Sequence, residues 1–451
     1  MRYDVAVVGT GQAAVPLAEK LVSAGRTVLL AERSQVGGTC VNYGCTPTKT
    51  LVASARAAHV ARTAGRLGVH AREVRVDFAA VMARKDAMVR RWREGVERRI
   101  EKAGPRLQLV RGHARFTGAR ELEIAGERHE AEVVVLNVGT RPAPPALRGA
   151  EAVPWLDNRR VMELSGPPEH LLVLGGGYVG CELAQAYRRL GARVTLIQRA
   201  SHLLDREDPE ISEAVEEVFR TEGIEVLLSA NAARAALRAG GVAITLEDGR
   251  EIAGSHLLVA LGRRPNTDDL GCAEAGVALD ARGHVQVDDH YRTSAPGVYA
   301  VGDVTGGPAF THTSWDDHRL LLDVLEGRPG RGRAGRVIPY CVFTDPQVGG
   351  VGLNEREARD RGVAYRAATM KFGSIARAIE TDETAGTMKL LVTPDGEKIL
   401  GARIVGAEAG ELVHLFAVMM AAGAPLRALV EMQVAHPTFA EGVQLLAMRV
   451  G

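Results

Sequence analysis

Apolar and polar positions along this chain follow a pattern that occurs twice. Residues 3–33, YDVAVVGTGQAAVPLAEKLVSAGRTVLLAER, pass from an apolar run through a glycine-rich turn into an Ala/Leu-rich stretch, then a glycine and a second apolar run. Residues 170–199, HLLVLGGGYVGCELAQAYRRLGARVTLIQR, do the same. Short apolar runs on either side of a helix-period segment predict a strand, a helix and a parallel strand. Between the copies, the pattern predicts a helix from Leu51 to about Ala64 and a long amphipathic helix from about Phe78 to Lys102. Alternating strands follow through 107–136. After the second copy it predicts a helix near 208–222, strands near 224–261 and a short apolar strand within 293–303. This is an α/β chain.

The turns in the two copies carry chemistry. Gly9, Gly11 and Ala14 in the first, and Gly175, Gly177 and Gly180 in the second, have the spacing of a dinucleotide-binding turn. Glycines there let the backbone approach a pyrophosphate, and the free N–H groups of the following helix stabilise it. One such turn is weak evidence, but two with correct flanks make two Rossmann-like dinucleotide-binding domains the expected fold. The second strands end differently. Glu32 closes the first with a carboxylate suited to an adenosine ribose, as in FAD or NAD. Gln198 stands in its place in the second and Arg199 follows, a guanidinium suited to a 2′-phosphate. The second site therefore points to NADPH, with NADH the alternative and a solvated surface arginine the plainer reading of Arg199.

Composition narrows the partners. With 56 basic and 55 acidic residues the net charge is +1, which argues against a dedicated nucleic-acid or acidic-membrane partner. The basic helix MARKDAMVRRWREGVERRIEK is interrupted by Glu94, Glu97 and Glu101 and reads as a solvated face. No apolar run reaches membrane-spanning length, and the first strand begins almost at the N-terminus, so a cytoplasmic protein is expected. Five scattered cysteines, at 40, 45, 181, 272 and 341, do not form a disulfide scaffold.

Two of those cysteines are close. In GGTCVNYGCTPTK (37–49), Cys40 and Cys45 enclose a loop too short for their bridge to remove much entropy from the unfolded chain. A bridge of that kind suits exchange, with one sulfur to attack a substrate and the other to resolve the intermediate. Near the other end, HPTFAE (436–441) holds a histidine, whose unperturbed pKa lies near neutrality. His436 is a candidate acid-base for Cys40, and Glu441 a candidate to orient its imidazole. Cys181, inside the second glycine turn, reads as a packed small residue. The residues by themselves indicate no metal site.

GGTCVNYGC, the two dinucleotide turns, ALGRRPN, GVYAVGD and HPTFAE occur in an order that resembles the flavoprotein pyridine nucleotide–disulfide oxidoreductases, a family that includes glutathione reductase, dihydrolipoamide dehydrogenase and mercuric reductase. The resemblance covers essentially the whole chain, and the stretches REDPEISEAVEEVFRTEGIEV and VFTDPQVGGVG look most like the mercuric reductase core. It implies an FAD-binding domain over 1–142, an NAD(P)H-binding domain over 143–264, a central segment 265–336 returning to the FAD domain, and a C-terminal α+β dimerisation domain over 337–451. It further implies that Gly9, Gly11, Glu32, Gly38, Thr39 and Asp303 bind FAD, and that Gly175, Gly177, Tyr178, Arg199 and Arg263 surround the nicotinamide cofactor. Tyr178 matches the aromatic that covers the flavin, Cys40 the interchange thiol, Cys45 the thiol against the flavin, and Lys49 with Glu182 an ion pair beside the ring. The histidine of relatives reaches across a two-fold interface, which implies a homodimer with shared active sites.

The expected function is an NADPH-dependent reductase passing electrons through FAD and the Cys40–Cys45 disulfide to a small disulfide or a metal ion such as Hg(II) or Cu(II). Mercuric reductases carry a C-terminal cysteine pair and a tyrosine at the place of His436. Here no cysteine follows 341, and His436 with Glu441 matches disulfide reductases instead. An NAD-dependent dihydrolipoamide dehydrogenase and a non-catalytic nucleotide-binding protein are the competing readings.

Overall fold

The structure is a computed structural model, described here for residues 2–328 and 330–450. The chain forms two compact units, one built from residues 1–47, 83–143 and 262–336, the other from 48–82, 144–261 and 337–451.

In the first unit the strand Arg2–Val8 lies between Val28–Glu32 and Glu127–Leu136, parallel to both. Leu107–Arg111 extends the parallel sheet on one side and Val298–Ala300 pairs with Glu127–Leu136 on the other. The hairpin strands Ala114–Gly118 and Glu121–Ile124 add an antiparallel edge. All five residues of Val28–Glu32 are buried, as expected of a parallel strand covered on both faces. The helix Ala14–Ser23 lays Ala14, Val15, Leu17, Ala18 and Leu21 on this sheet, so small and branched residues set a close helix–sheet distance.

The second unit repeats the motif. His170–Leu174 runs parallel to Arg193–Ile197 and to His256–Val259, with Glu225–Leu227 at the edge, and Tyr178–Arg189 is the crossover helix. A three-stranded antiparallel sheet occupies Ala232–Arg238, Gly241–Leu246 and Glu251–Gly254. The C-terminal part is a five-stranded antiparallel sheet, Tyr340–Val342, Gln347–Gly352, Ile399–Gly406, Thr387–Val392 and Arg366–Lys371 in spatial order, with helices Ala409–Ala422 and Glu441–Val450. The α/β class with a C-terminal α+β part is as expected.

Two buried ion groups join this sheet to the dinucleotide segment of the same unit. Lys389, 2% exposed, reaches Asp208 at 3.0 Å, Glu355 at 2.7 Å and Glu210. Burial alone would lower its pKa, but the carboxylates outweigh that and hold it above the usual lysine range. The three carboxylates converge as metal ligands do, but the ammonium already supplies the cation. Arg403, also buried, pairs with Glu207 at 2.9 Å. Removing one partner of such a pair leaves an uncompensated charge, at a cost of about 3–5 kcal/mol.

One local expectation is corrected. The helix predicted from Leu51 begins at Cys45 and runs to Thr63. Pro47 falls in its first turn, where the backbone N–H has no intrahelical acceptor to lose, so TPTK opens the helix instead of preceding it.

Glycine is sterically required at the second turn: a Cβ on Gly180 would lie 1.9 Å from the Gly175 carbonyl oxygen. Gly180→Ala should destabilise the protein by roughly 1–3 kcal/mol, the usual range for overpacking. Thermal unfolding checks this, and an unchanged midpoint would contradict the packing described.

Candidate active site

The two dinucleotide turns are built alike. Gly9 and Gly175 have φ of +96° and +107°, and a Cβ on either would lie 2.5 Å from the Asn137 oxygen or 2.6 Å from the Ala260 oxygen. Each turn is thus pressed against the carbonyl of a neighbouring strand end, where only glycine fits. The helices that follow, Ala14–Ser23 and Tyr178–Arg189, have no side-chain N-cap and no acid in the first turn. Their N-terminal N–H groups and partial positive charge are left to an anion. No described atom lies within 4 Å of where a Cβ on Gly177 would project, so the backbone faces open space there. These features fit a dinucleotide at each turn.

Glu32 is buried, with Oε2 accepting from the backbone N–H (3.1 Å) and hydroxyl (2.6 Å) of Thr10 and Oε1 accepting from the Ser34 N–H. Oε1 keeps a lone pair for a ribose hydroxyl. Gln198 plays the matching part in the second turn: its Oε1 accepts from the Gly176 N–H at 3.3 Å. A neutral amide can thus brace the turn without adding a negative charge. Arg199 beside it is exposed and makes no ion pair among the described residues.

Asp303 follows the strand Val298–Ala300, and burial raises its carboxyl above the usual range despite the charge of Arg263. Thr140 donates to Asp303 at 3.2 Å and is itself held by Arg263, through its hydroxyl and its carbonyl oxygen, both at 2.7 Å. Arg263, expected among the nicotinamide residues, is therefore bound into the first unit on the Asp303 side. Thr140 was not anticipated, since nothing in NVGTRP marks it.

Gly38, Thr39 and Cys40 lie on the short helix Gly38–Asn42, and Cys45 is the first residue of the next helix. Asn42 fixes this bend: its Nδ2 donates to the carbonyls of Val36 (2.9 Å) and Gly38 (3.0 Å), and its Oδ1 accepts from Arg93 at 2.9 Å. The Cys40 thiol is hydrogen-bonded to Cys45, and this, together with burial, pushes its pKa up. The Thr311 hydroxyl lies 3.1 Å from Cys45 Sγ and opposes the shift at Cys40. A base is therefore needed to free a thiolate at Cys40. Cys272 and Cys341 are pushed up to about 11 and about 12, chiefly by burial, and buried Cys181 points its sulfur at the Gly176 carbonyl, 3.3 Å away.

In the second unit, Lys49 donates to Glu182 at 2.7 Å. Glu182 is buried and also accepts from the Phe343 N–H at 2.8 Å, while the ammonium sits 4.7 Å from the Phe343 ring centroid. The lysine is a positioned charge. Tyr178 donates to Glu207 at 3.0 Å and stacks on Tyr340, which donates to the same carboxylate at 2.5 Å. Glu207 and Tyr340 had no local sequence signal. His436 is exposed, with Nδ1 2.9 Å from Glu441; the other Glu441 oxygen accepts from the Thr438 N–H. That hydrogen bond, and then the carboxylate charge, raise the His436 pKa above its ordinary value.

Paired dinucleotide turns together with two thiols in contact define a dinucleotide-dependent thiol–disulfide oxidoreductase. Residues 3–317 match the pyridine nucleotide-disulphide oxidoreductase family and residues 338–447 match its dimerisation domain; the chain belongs to this family of flavoprotein enzymes. A mercuric reductase of Streptomyces lividans is 37% identical, over 99% of this chain and 95% of its own. A dihydrolipoyl dehydrogenase of Thermus scotoductus is 35% identical, over 98% and 96%. Among solved structures, the HOCl-induced flavoprotein disulfide reductase RclA from Escherichia coli superposes with a TM-score of 0.91 at 31% identity, over 100% of both chains, and is also known as a Cu(II) complex. No helix among the described residues is long and apolar enough to cross a membrane.

Because Glu441 raises the His436 pKa, the imidazolium persists to higher pH than in an ordinary histidine, and the neutral base appears only above that point. Glu441→Gln should lower the His436 midpoint. Titration of its ring protons by NMR reads this directly, and an unmoved midpoint would show that the carboxylate does not tune the ring.

Proposed function

We propose that this enzyme is an NADPH-dependent reductase that hands two electrons through FAD and the Cys40–Cys45 pair to a small disulfide or a metal ion. The contact between the Cys40 and Cys45 sulfurs, in the unit that carries the Glu32 turn, is the observation that carries this reading. FAD, when bound, supplies the two-electron transfer from nicotinamide to the cysteine pair. Gly9, Gly11, Ala14, Glu32, Gly38, Thr39 and Asp303 would hold it. Gly175, Gly177, Gly180, Tyr178 and Arg199 would hold the nicotinamide cofactor, and Arg263 would brace Asp303 through Thr140.

The residues divide the remaining work. His436, oriented by Glu441, removes the proton that Cys40 shares with Cys45 and later returns it to the departing group. Cys40 is the attacking sulfur and Cys45 the resolving one. Lys49, fixed by Glu182, provides a stationary cation where negative charge develops on reduction. We further propose a cytoplasmic homodimer, the histidine of each copy serving the cysteines of the other, and segments 1–142, 143–264, 265–336 and 337–451 as its FAD, nicotinamide, central and interface parts. Support for the dimer comes from the matched dimerisation domain, and support for NADPH from the neutral Gln198 and the unpaired Arg199.

Cys40→Ser should lower substrate turnover by about three orders of magnitude or more, as loss of a nucleophile does, while NADPH still reduces the flavin in a stopped-flow half-reaction. Retained turnover would remove Cys40 from the mechanism. Arg199→Ala should raise KM for NADPH about tenfold, the effect of one charge-assisted contact, and leave KM for NADH nearly unchanged. A wild-type enzyme that strongly prefers NADH would instead support the dihydrolipoamide dehydrogenase reading.

A further inference from the structure

Tyr178 is the first residue of the crossover helix and directly follows Gly177 of the second dinucleotide turn. Its hydroxyl and that of Tyr340 donate to the same oxygen, Oε1 of Glu207, at 3.0 and 2.5 Å. The two rings stack, with centroids 5.6 Å apart and planes 17° from parallel. Neither Glu207 nor Tyr340 takes part in the thiol chemistry.

The surroundings hold this pair still. Glu207 is buried, and its other oxygen accepts from Arg403 Nε at 2.9 Å. Arg403 in turn donates to the carbonyls of Val351, Ala402 and Gly352 at 2.9, 2.9 and 3.1 Å, and its guanidinium lies 5.5 Å from the Tyr340 ring centroid. The segment leading to Glu207 is tied to the turn itself, because the Leu204 N–H donates to the Gly176 carbonyl at 2.8 Å. Tyr340 faces Gly350 across its strand pair, and a Cβ on Gly350 would collide with the phenol, so glycine clears the space the ring occupies. Burial, ahead of any nearby charge, pushes both phenol pKa values up, which keeps both hydroxyls protonated as donors.

A ring that swung aside for its ligand would take a donor from a buried carboxylate and break a stacked pair, and both losses are unfavourable. A ring already held in place adds no ordering cost when the ligand binds. We propose that Tyr340 and Glu207 are positioning residues that hold Tyr178 as a fixed wall for the nicotinamide end of the dinucleotide, so that the ring does not move aside when the cofactor enters. The inference rests on the reading of the second turn as the NADPH site.

The test compares the flavin-loaded wild type with two variants. Tyr340→Phe keeps the stacked ring and removes one hydroxyl, and Tyr340→Leu removes both. Calorimetry gives Kd for NADP⁺ and for adenosine 2′,5′-bisphosphate, which lacks the nicotinamide end, and stopped-flow absorbance gives the limiting rate of flavin reduction by NADPH. Tyr340→Leu should raise Kd for NADP⁺ about tenfold and Tyr340→Phe about threefold, the effects of losing an aromatic pair with a charge-assisted hydrogen bond and of losing the bond alone. Kd for adenosine 2′,5′-bisphosphate and the limiting rate should stay within about twofold of wild type, because the lost interaction acts on binding of one end only. An unchanged or lower Kd for NADP⁺ in Tyr340→Leu, or a faster limiting rate in either variant, would mean that the ring yields to the cofactor and would overturn the proposal. Equal weakening of both ligands would reveal a general loss of structure and overturn it too. The wild type separates the two levels: if it neither binds NADP⁺ nor is reduced by NADPH, the reading of the second turn fails. A wild type that does both, with variants that behave like it, removes only the fixed wall.

Discussion

Both nucleotide turns depend on one steric constraint, a backbone pressed so closely against a neighbouring strand that no side chain can stand between them. Gly9 meets the carbonyl of Asn137, and Gly175 meets the carbonyl of Ala260, at distances a Cβ could not tolerate. The constraint places the start of the next helix, uncapped and without acid, at the end of a parallel sheet. Each turn is then braced from the second strand by a different group, a carboxylate at Glu32 and an amide at Gln198. The geometry is common to the two units, while the charge is not, and charge is what can distinguish one dinucleotide from another.

The chemistry is organised around where protons reside. Hydrogen bonding to Cys45 and burial raise the Cys40 pKa, so freeing a thiolate there calls for a base. An isolated cysteine near a helix N-terminus would be expected to lose its proton more readily than usual. Here the second sulfur reverses that expectation, because its hydrogen bond with Cys40 favours the protonated thiol. The exposed His436 imidazole, raised above its ordinary pKa by Glu441, is correspondingly poised to exchange protons near neutrality. Buried charge elsewhere serves a different end. Lys389 with its three carboxylates and Arg403 with Glu207 hold the C-terminal sheet to the dinucleotide segment, and Glu207 also anchors the Tyr178 and Tyr340 hydroxyls.

Much of this was legible in the sequence, because periodicity and spacing are local properties. The repeated strand–turn–helix pattern, the close cysteines, and the histidine with a carboxylate five residues on are all short-range signals, and the elements formed near where the pattern placed them. The start of the helix at Cys45 was missed because a proline in a first turn looks, from sequence, like a terminator. Other features could not have been read at all. Thr311 approaches Cys45 from 266 positions away, Arg403 reaches Glu207 across 196, and Trp92 and Trp315 meet at one cavity from separate helices. Such contacts leave no trace in any window of the chain, since a side chain's partner across the core is fixed by how sheets and helices stack. The sequence alone determined which reactive groups exist and what local shape each occupies; only the folded chain decided which of them touch, and therefore which proton, charge or ring each one governs.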